Sequence, residues 1–176
     1  DFSRLLKDYS FRNSIYKKIQ KKFFKNNGNF WEDFNVIIEF DNSIKNFSQI
    51  ILSDIWEIYY EQIYDKYFSK ERNYNNIIDC GGNIGLFSLY ASKNFEVNNI
   101  HTFEASKKIC DNLIKNVNLN NLNKKIVVNN NYVSSNEENI NFLFDNNIFT
   151  MSKISTSTSG ESVQAVTLDN YIKEKK

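Results

Sequence analysis

The stretch IIDCGGNIGLFSLYAS, from Ile77 to Ser92, decides the fold of this 176-residue chain. Three of the five glycines in the chain, Gly81, Gly82 and Gly85, fall within five consecutive residues here. An apolar run before the glycines and a helix-forming run after them are typical of a buried strand that turns sharply into a helix. Glycine allows positive φ angles and close approach to the backbone. The turn therefore serves either tight packing or a bound ligand.

Short strands and helices alternate after this turn. NIIDC leads into a helix from about Ile84 to Lys93, NIHTFE leads into a helix from Ser106 to about Asn118, and KIVVNN follows. Strands separated by helices of this length are expected to form a parallel sheet through right-handed crossovers. Ser106 is the predicted N-cap of the second helix. NINFLF and SVQAVTL are further predicted strands, on either side of a connector, TMSKISTSTSGE, that we expect to be mobile.

The first part of the chain follows other patterns. Apolar residues at helical spacing over residues 2–24 predict one or two amphipathic helices. NVIIEF and NFSQIIL, on either side of DNS, predict a β-hairpin. Residues at i, i+3 and i+4 spacing then predict the core stripe of a helix, formed by Trp56, Tyr60, Ile63 and Tyr67. We predict N-terminal helices with a β-hairpin over residues 1–70 and an α/β Rossmann-like half-domain over residues 71–176.

Composition narrows the classes of function. The formal net charge is +1, so no overall field favours nucleic acid as a partner. Cys80 and Cys110 stand outside any C-x-x-C or Cys/His cluster, which predicts two reduced thiols and no metal site. The single histidine, His101, is expected to be structural. No apolar run approaches the ~18–20 residues that cross a bilayer, and no signal peptide is recognised, so we predict a soluble, cytoplasmic protein.

Acidic residues beside the turn select among nucleotide-like ligands. A P-loop is excluded because no Lys-Ser or Lys-Thr follows the glycines, and the dinucleotide pattern G-x-G-x-x-G has Cys80 at its first glycine position. Asp79, at the strand end, would repel a pyrophosphate but suits a cationic ligand such as S-adenosylmethionine. Glu104, 25 residues later, ends the next strand, where its two oxygens can accept both hydroxyl protons of a ribose.

These segments resemble a known family. IIDCGGNIGLFSLYAS, IHTFEAS, LIKNVNLNNL, VSSNEENINFLF and VTLDNYI together are similar to FkbM-type S-adenosylmethionine-dependent methyltransferases, from about Ser53 to the C-terminus. The matching motifs include the glycine turn, the Phe-Glu strand end and an N-x-x-L-N helix end. The resemblance implies a class I methyltransferase fold and O-methylation of a small-molecule or glycan hydroxyl, often in glycan or natural-product biosynthesis.

The resemblance also implies roles for residues of the turn. Asp79 would hold the amino group of the methionine moiety, directly or through water. Gly81, Asn83 and Gly85 would shape the loop beneath the cofactor, with Gly82 in the same turn.

The nucleoside side of the implied site draws on the next two strands. Glu104 would bind the ribose hydroxyls. Ala105 stands where the family commonly has a proline and would lie against the adenine. Asn131, at the end of the third strand, is expected to contact the adenine as well.

The end of the sequence leaves alternatives open. The family continues from a Thr-Leu-Asp strand into a core strand with a K-x-D-x-E-G motif that faces the substrate, whereas this sequence ends at Lys176, seven residues after Asp169. We therefore expect a truncated C-terminal half, an inactive fragment and no assignable catalytic residue. One alternative is a non-catalytic nucleoside-binding or interaction fragment, whose free sheet edge would favour a homo-oligomer. The other is a nicotinamide-dependent oxidoreductase, in which Glu104 would again bind the ribose.

Overall fold

The computed structural model describes residues 17–18, 21, 30–39, 47–143, 153–155 and 161–175. Its first elements, in chain order, are strands β1 (Phe30–Asp33) and β2 (Val36–Glu39), helix α1 (Phe47–Ile55) and a π-helical turn (Trp56–Tyr60). Strands β1 and β2 pair antiparallel across Phe34 and Asn35. Both turn residues have positive φ, 48° and 60°, as a tight two-residue hairpin turn requires.

The predicted position of the hairpin is wrong. The described part of the segment NFSQIIL, residues 47–52, forms most of helix α1 and not a strand. Ile51, Leu52 and Ile55 are buried at helical spacing on one side of that helix. A short apolar run such as QIIL does not by itself distinguish a strand from a buried helix, and packing of the helix against the core decides here. The helices predicted over residues 2–24 lie almost entirely outside the described residues.

The predicted core stripe of Trp56, Tyr60, Ile63 and Tyr67 is confirmed only in part, because Trp56 and Tyr60 pack against the core and Tyr67 does not. Tyr67 is 70% exposed, while Ile58 and Tyr59 are buried. The helix widens into the π-helical turn and ends at Tyr60, so the inward-facing positions shift relative to a regular α-helix. Trp56 and Tyr60 instead stack on each other, with ring centroids 5.5 Å apart, at the edge of the core.

The predicted α/β core is confirmed. The elements that form it are β3 (Tyr74–Cys80), α2 (Leu86–Asn94), β4 (Val97–Phe103), α3 (Lys107–Leu119) and β5 (Ile126–Asn129). Strands β3, β4 and β5 are parallel neighbours in that order, with the helices as crossovers. Asp79 lies opposite Thr102 in the register of β3 and β4. The carboxyl ends of both strands therefore lie at the same edge of the sheet.

A second sheet follows within the described residues. Its strands are β6 (Tyr132–Val133), β7 (Asn139–Leu143), β8 (Lys153–Ser155) and β9 (Glu161–Val166), and helix α4 (Leu168–Glu174) comes next. The spatial order is β6-β9-β7-β8, with β6 parallel to β9 and the other pairs antiparallel. The strands predicted from NINFLF and SVQAVTL are confirmed. The connector predicted to be mobile contains strand β8, and its other residues before β9 lie outside the described residues.

The hydrophobic core includes elements from both sides of residue 70. Strand β2 and helix α1 pack with the α/β core through buried side chains that include Val36, Ile38, Ile55, Ile77, Leu89, Ile100 and Leu113. Full burial of one such side chain contributes about 1.5–3 kcal/mol. The N-terminal elements therefore stabilise the same core as the parallel sheet, and the division at residue 70 stays a prediction.

Several chemical predictions concern single side chains. Cys80 and Cys110 are both free thiols, with Cys80 exposed and Cys110 buried. The ring nitrogens of His101 lie 2.9 Å from the Tyr171 hydroxyl and 3.3 Å from Asn76 Oδ1, which fits the predicted structural role.

In the part of the chain that the structure describes, no three His, Cys, Asp or Glu side chains are grouped as a metal site requires. No helix in that part is long and apolar enough to span a bilayer.

Candidate functional site

The glycine turn is fastened to the end of strand β4. The backbone N–H groups of Gly81 and Gly82 both donate to Phe103 O, at 2.9 and 2.8 Å. Gly85 N donates to Gly82 O at 2.8 Å, and Gly85 is the N-cap residue of helix α2. Backbone hydrogen bonds thus fix the turn between two parallel strands and a helix N-terminus.

The three glycines meet different requirements. A Cβ atom on Gly82 would lie 2.0 Å from Thr102 Oγ1, so packing against β4 alone accounts for this glycine. Gly85 has a φ of +94°, and Leu113 lies 3.4 Å from the position of its Cβ. Gly81 has a φ of +83°, and none of the described residues places an atom within 4 Å of its Cβ position. Of the three, Gly81 leaves the most room for a ligand beside the backbone.

Asp79 ends the apolar part of strand β3 with a buried carboxylate, 8% exposed. Ser88 Oγ in helix α2 and Thr102 Oγ1 in strand β4 donate to it at 2.6 and 3.2 Å. Burial raises the pKa of Asp79, and these two hydrogen bonds act in the opposite direction. Both bonds end on Oδ2, so Oδ1 remains able to accept a hydrogen bond from a ligand.

Glu104 directly follows strand β4, and its carboxylate is tied to the glycine turn. Glu104 Oε2 accepts from Asn83 N at 2.9 Å, and Oε1 accepts from Ser106 N at 2.9 Å. Burial raises the pKa of Glu104, the backbone hydrogen bonds lower it, and the charge of Asp79 raises it again. The structure therefore brings the two predicted acids and the turn together in one site.

Asn83, in the middle of the turn, has an unusual environment. Its φ of +50° lies in the left-handed region, which asparagine tolerates better than most residues. Its Oδ1 atom is buried and has no hydrogen-bond partner among the described residues. A buried unpaired acceptor costs about 1–3 kcal/mol, so this atom has unused capacity to accept a hydrogen bond.

The two residues predicted to contact adenine lie in different surroundings. The carbonyl oxygens of Glu104 and Ala105 both accept from Asn130 Nδ2, at 2.9 and 3.0 Å. These bonds fix the backbone of Glu104 and Ala105 at the sheet edge, and contact of Ala105 with adenine stays a prediction. Asn131 Nδ2 instead donates to Gln164 O in strand β9, at 3.3 Å, so its contact with adenine stays a prediction.

Sequence reasoning missed three side chains that shape the site, namely Ser88, Thr102 and Asn130. A signal existed for Thr102, because it lies two residues before Glu104 on an alternating strand. Asn130 directly follows strand β5, at the sheet edge where the other strands carry their acidic residues. No sequence signal pointed to Ser88, because its hydrogen bond to Asp79 depends on how helix α2 packs on the sheet.

Tyr64 lies within electrostatic reach of Asp79. Burial raises the pKa of Tyr64, and the nearby charges of Asp79, Asp54 and Glu57 raise it further. The Tyr64 ring packs against Phe87 of helix α2, with ring centroids 4.5 Å apart. The negative charge of Asp79 therefore acts on Tyr64 as well as on Glu104.

A cavity of about 520 Å³ lies elsewhere, between the hairpin turn, Lys93 and the end of helix α3. None of the predicted site residues lines it. The candidate site is therefore defined by charge and hydrogen bonding at the sheet edge.

No protein-family model and no curated protein matches the chain. Solved structures similar to part of it include M. jannaschii TYW2 in complex with AdoMet, with 18% identity, a TM-score of 0.42 and 56% of this chain and 41% of that chain covered. A SAM-dependent methyltransferase from Agrobacterium tumefaciens has 20% identity, a TM-score of 0.39 and coverage of 60% and 33%. A tRNA methyltransferase from M. jannaschii has 15% identity, a TM-score of 0.40 and coverage of 62% and 33%.

The matched part thus makes up 33% to 41% of these three chains. Their names describe those proteins and do not single out the FkbM-type family. That family assignment stays a prediction from the sequence.

Proposed function

We propose that this chain binds S-adenosylmethionine at the glycine turn and is the cofactor-binding part of an S-adenosylmethionine-dependent methyltransferase. The observation that carries the proposal is the arrangement of two carboxylates beside the glycine turn, Asp79 buried and Glu104 half-buried. Glu104 accepts from Asn83 N in the turn, and the charge of Asp79 raises the pKa of Glu104. Two like charges in a buried site are unfavourable unless a cation joins them. The ammonium and sulfonium groups of this cofactor supply positive charge and bring no phosphate.

The residues present fit the cofactor. Asp79 Oδ1 would accept from the ammonium of the methionine moiety. Each oxygen of Glu104 accepts one backbone hydrogen bond and keeps a lone pair for a ribose hydroxyl. Gly81 leaves open space beside the backbone. Ala105 would offer a small apolar surface to the adenine.

The proposed reaction is transfer of a methyl group to a hydroxyl of a sugar or another small molecule, and the FkbM-type resemblance supports this choice of acceptor. When bound, the cofactor supplies an electrophilic methyl group. The chain's own residues would hold the nucleoside in a fixed orientation, and orientation alone can lower a barrier by about 7–11 kcal/mol. A general base that takes the hydroxyl proton is part of the proposal but has no assigned residue.

Calorimetric titration with S-adenosylhomocysteine and NAD, side by side, tests the proposal. We expect saturable binding of S-adenosylhomocysteine with a Kd in the micromolar range and none of NAD at the same concentrations. The pyrophosphate of NAD would face the Asp79 carboxylate, which is the reason for the difference. Binding of NAD without binding of S-adenosylhomocysteine would favour the oxidoreductase alternative instead.

A further inference from the structure

Two asparagines of the α3 segment cover the free edge of strand β2. Asn120 Oδ1 accepts from Ile37 N at 2.8 Å, and Asn120 Nδ2 donates to Ile37 O at 2.6 Å. Asn116 makes the same pair of bonds with Glu39, at 2.7 and 3.2 Å. Each side-chain amide thus pairs with both backbone groups of one residue, as a residue of a neighbouring strand would.

The residue spacing explains why asparagines at positions i and i+4 of a helix can bond to alternate residues of one strand. Four residues of a helix rise about 6 Å, and two residues of a strand rise about 7 Å. Side chains one turn apart on helix α3 therefore match alternate residues of an extended strand. Strand β1 pairs with β2 from the opposite edge. These asparagines are the first and last residues of the N-x-x-L-N motif in the sequence.

Asn116 also reaches the glycine turn. Its Nδ2 donates to Ile84 O at 2.9 Å, and the residue is 0% exposed. Ile84 lies between Asn83 and Gly85, at the base of the candidate cofactor site. One fully buried side chain therefore bonds to both strand β2 and the turn.

We infer that Asn116 is a positioning residue for the glycine turn, and that docking of strand β2 and binding of the nucleoside stabilise each other. The inference rests on the proposed function. When β2 leaves, the amide of Asn116 loses two bonds that fix its orientation, and the donor to Ile84 O is no longer held in place. A ligand that needs the ordered turn then favours the docked strand, because coupling between two sites is reciprocal.

Amide hydrogen exchange of the unmodified chain gives the first test. Saturating S-adenosylhomocysteine should slow exchange of the Ile37 and Glu39 amides at least fivefold, although neither residue belongs to the proposed site. The amide of Val163 in strand β9 is the internal control for a general gain in stability. Slowing of the two β2 amides that does not exceed the slowing at Val163 would count against the inference.

Replacement of Asn120 gives the second test, because Asn120 bonds to β2 and to its own helix segment but not to the turn. We expect Asn120→Ala to raise the Kd for S-adenosylhomocysteine about fivefold to tenfold. Asn118→Ala, the same change at an exposed position of the same helix, should stay within about twofold of the unmodified chain. A purely structural role of Asn120 would lower the free energy of unfolding and leave the affinity of the folded chain unchanged.

The outcomes separate the inference from the proposed function. An unmodified chain that binds S-adenosylhomocysteine, with an unchanged Kd in Asn120→Ala and no selective slowing at Ile37 and Glu39, overturns the inference alone. An unmodified chain that does not bind S-adenosylhomocysteine overturns both. If Asn120→Ala does not fold, the exchange measurement on the unmodified chain decides.

Discussion

Thr102 affects two residues of the candidate site, Asp79 and Gly82. Its hydroxyl donates to the Asp79 carboxylate and also occupies the space that a Cβ on Gly82 would need. The side chain that helps fix the acid therefore requires glycine in the turn. Asp79 and Glu104 could be predicted because the end of an apolar strand is visible in the sequence. Their donors could not, since hydroxyl partners are chosen by packing.

Replacement of Gly82 by alanine should be strongly destabilising. The new methyl group must displace the Thr102 hydroxyl, which adds the cost of overpacking to the loss of a hydrogen bond on a carboxylate, together about 3 kcal/mol or more. Gly81→Ala is the matched comparison, because open space surrounds it and only its positive φ is penalised, at about 1–2 kcal/mol. Urea denaturation of both variants measures the difference. Equal losses would show that packing is not what requires Gly82.

Secondary-structure elements were predictable where strands and helices alternate regularly, and less so before residue 70. The true hairpin turn, Phe34 and Asn35, contains no glycine, and positive φ at phenylalanine is not a sequence signal. The π-helical turn after α1 changes which side chains face inward without any mark in the spacing. Packing against the core decides both the position of the hairpin turn and which side chains after α1 face inward.

Asp54, near the end of helix α1, makes the stability of this element depend on pH. Burial raises its pKa from 3.8 to about 6, and the charge of Glu57 contributes in the same direction. Because the folded chain holds the Asp54 proton more tightly than the unfolded chain does, the folded chain is relatively more stable at pH values below the unfolded pKa of 3.8. This advantage is lost as the pH rises through about 6.

The variant Asp54→Asn should therefore be more stable than the unmodified chain at pH 7, by about 1–2 kcal/mol, with the difference largely gone near pH 4. Urea denaturation at the two pH values measures this, and Asp111→Asn, at an exposed carboxylate of helix α3, is the control. A difference that is the same at both pH values would mean that titration of Asp54 is not its cause.

Across the whole chain, the features that the sequence pattern did not predict are contacts between residues far apart in sequence. The α/β class follows from the order of local segments. The bonds from Asn116 and Asn120 to strand β2 join residues 77 and 83 positions apart, and asparagine near a helix end is ordinarily explained by capping or solvent. The N-x-x-L-N motif is visible in the sequence, but the sequence does not show that strand β2 is its partner. Through Asn116, strand β2 of the hairpin is linked to Ile84 in the glycine turn.

The affinity of the Asp79→Asn variant for S-adenosylhomocysteine tests the central claim most directly, because the change removes the charge and nearly preserves the shape of the side chain. A hydrogen bond to a charged group is worth about 1.5–3 kcal/mol, so calorimetry should show a Kd about tenfold to a hundredfold higher than in the unmodified chain. Asp111→Asn should leave the Kd within about twofold. Equal affinities of Asp79→Asn and the unmodified chain would contradict recognition of a cationic nucleoside by the paired carboxylates.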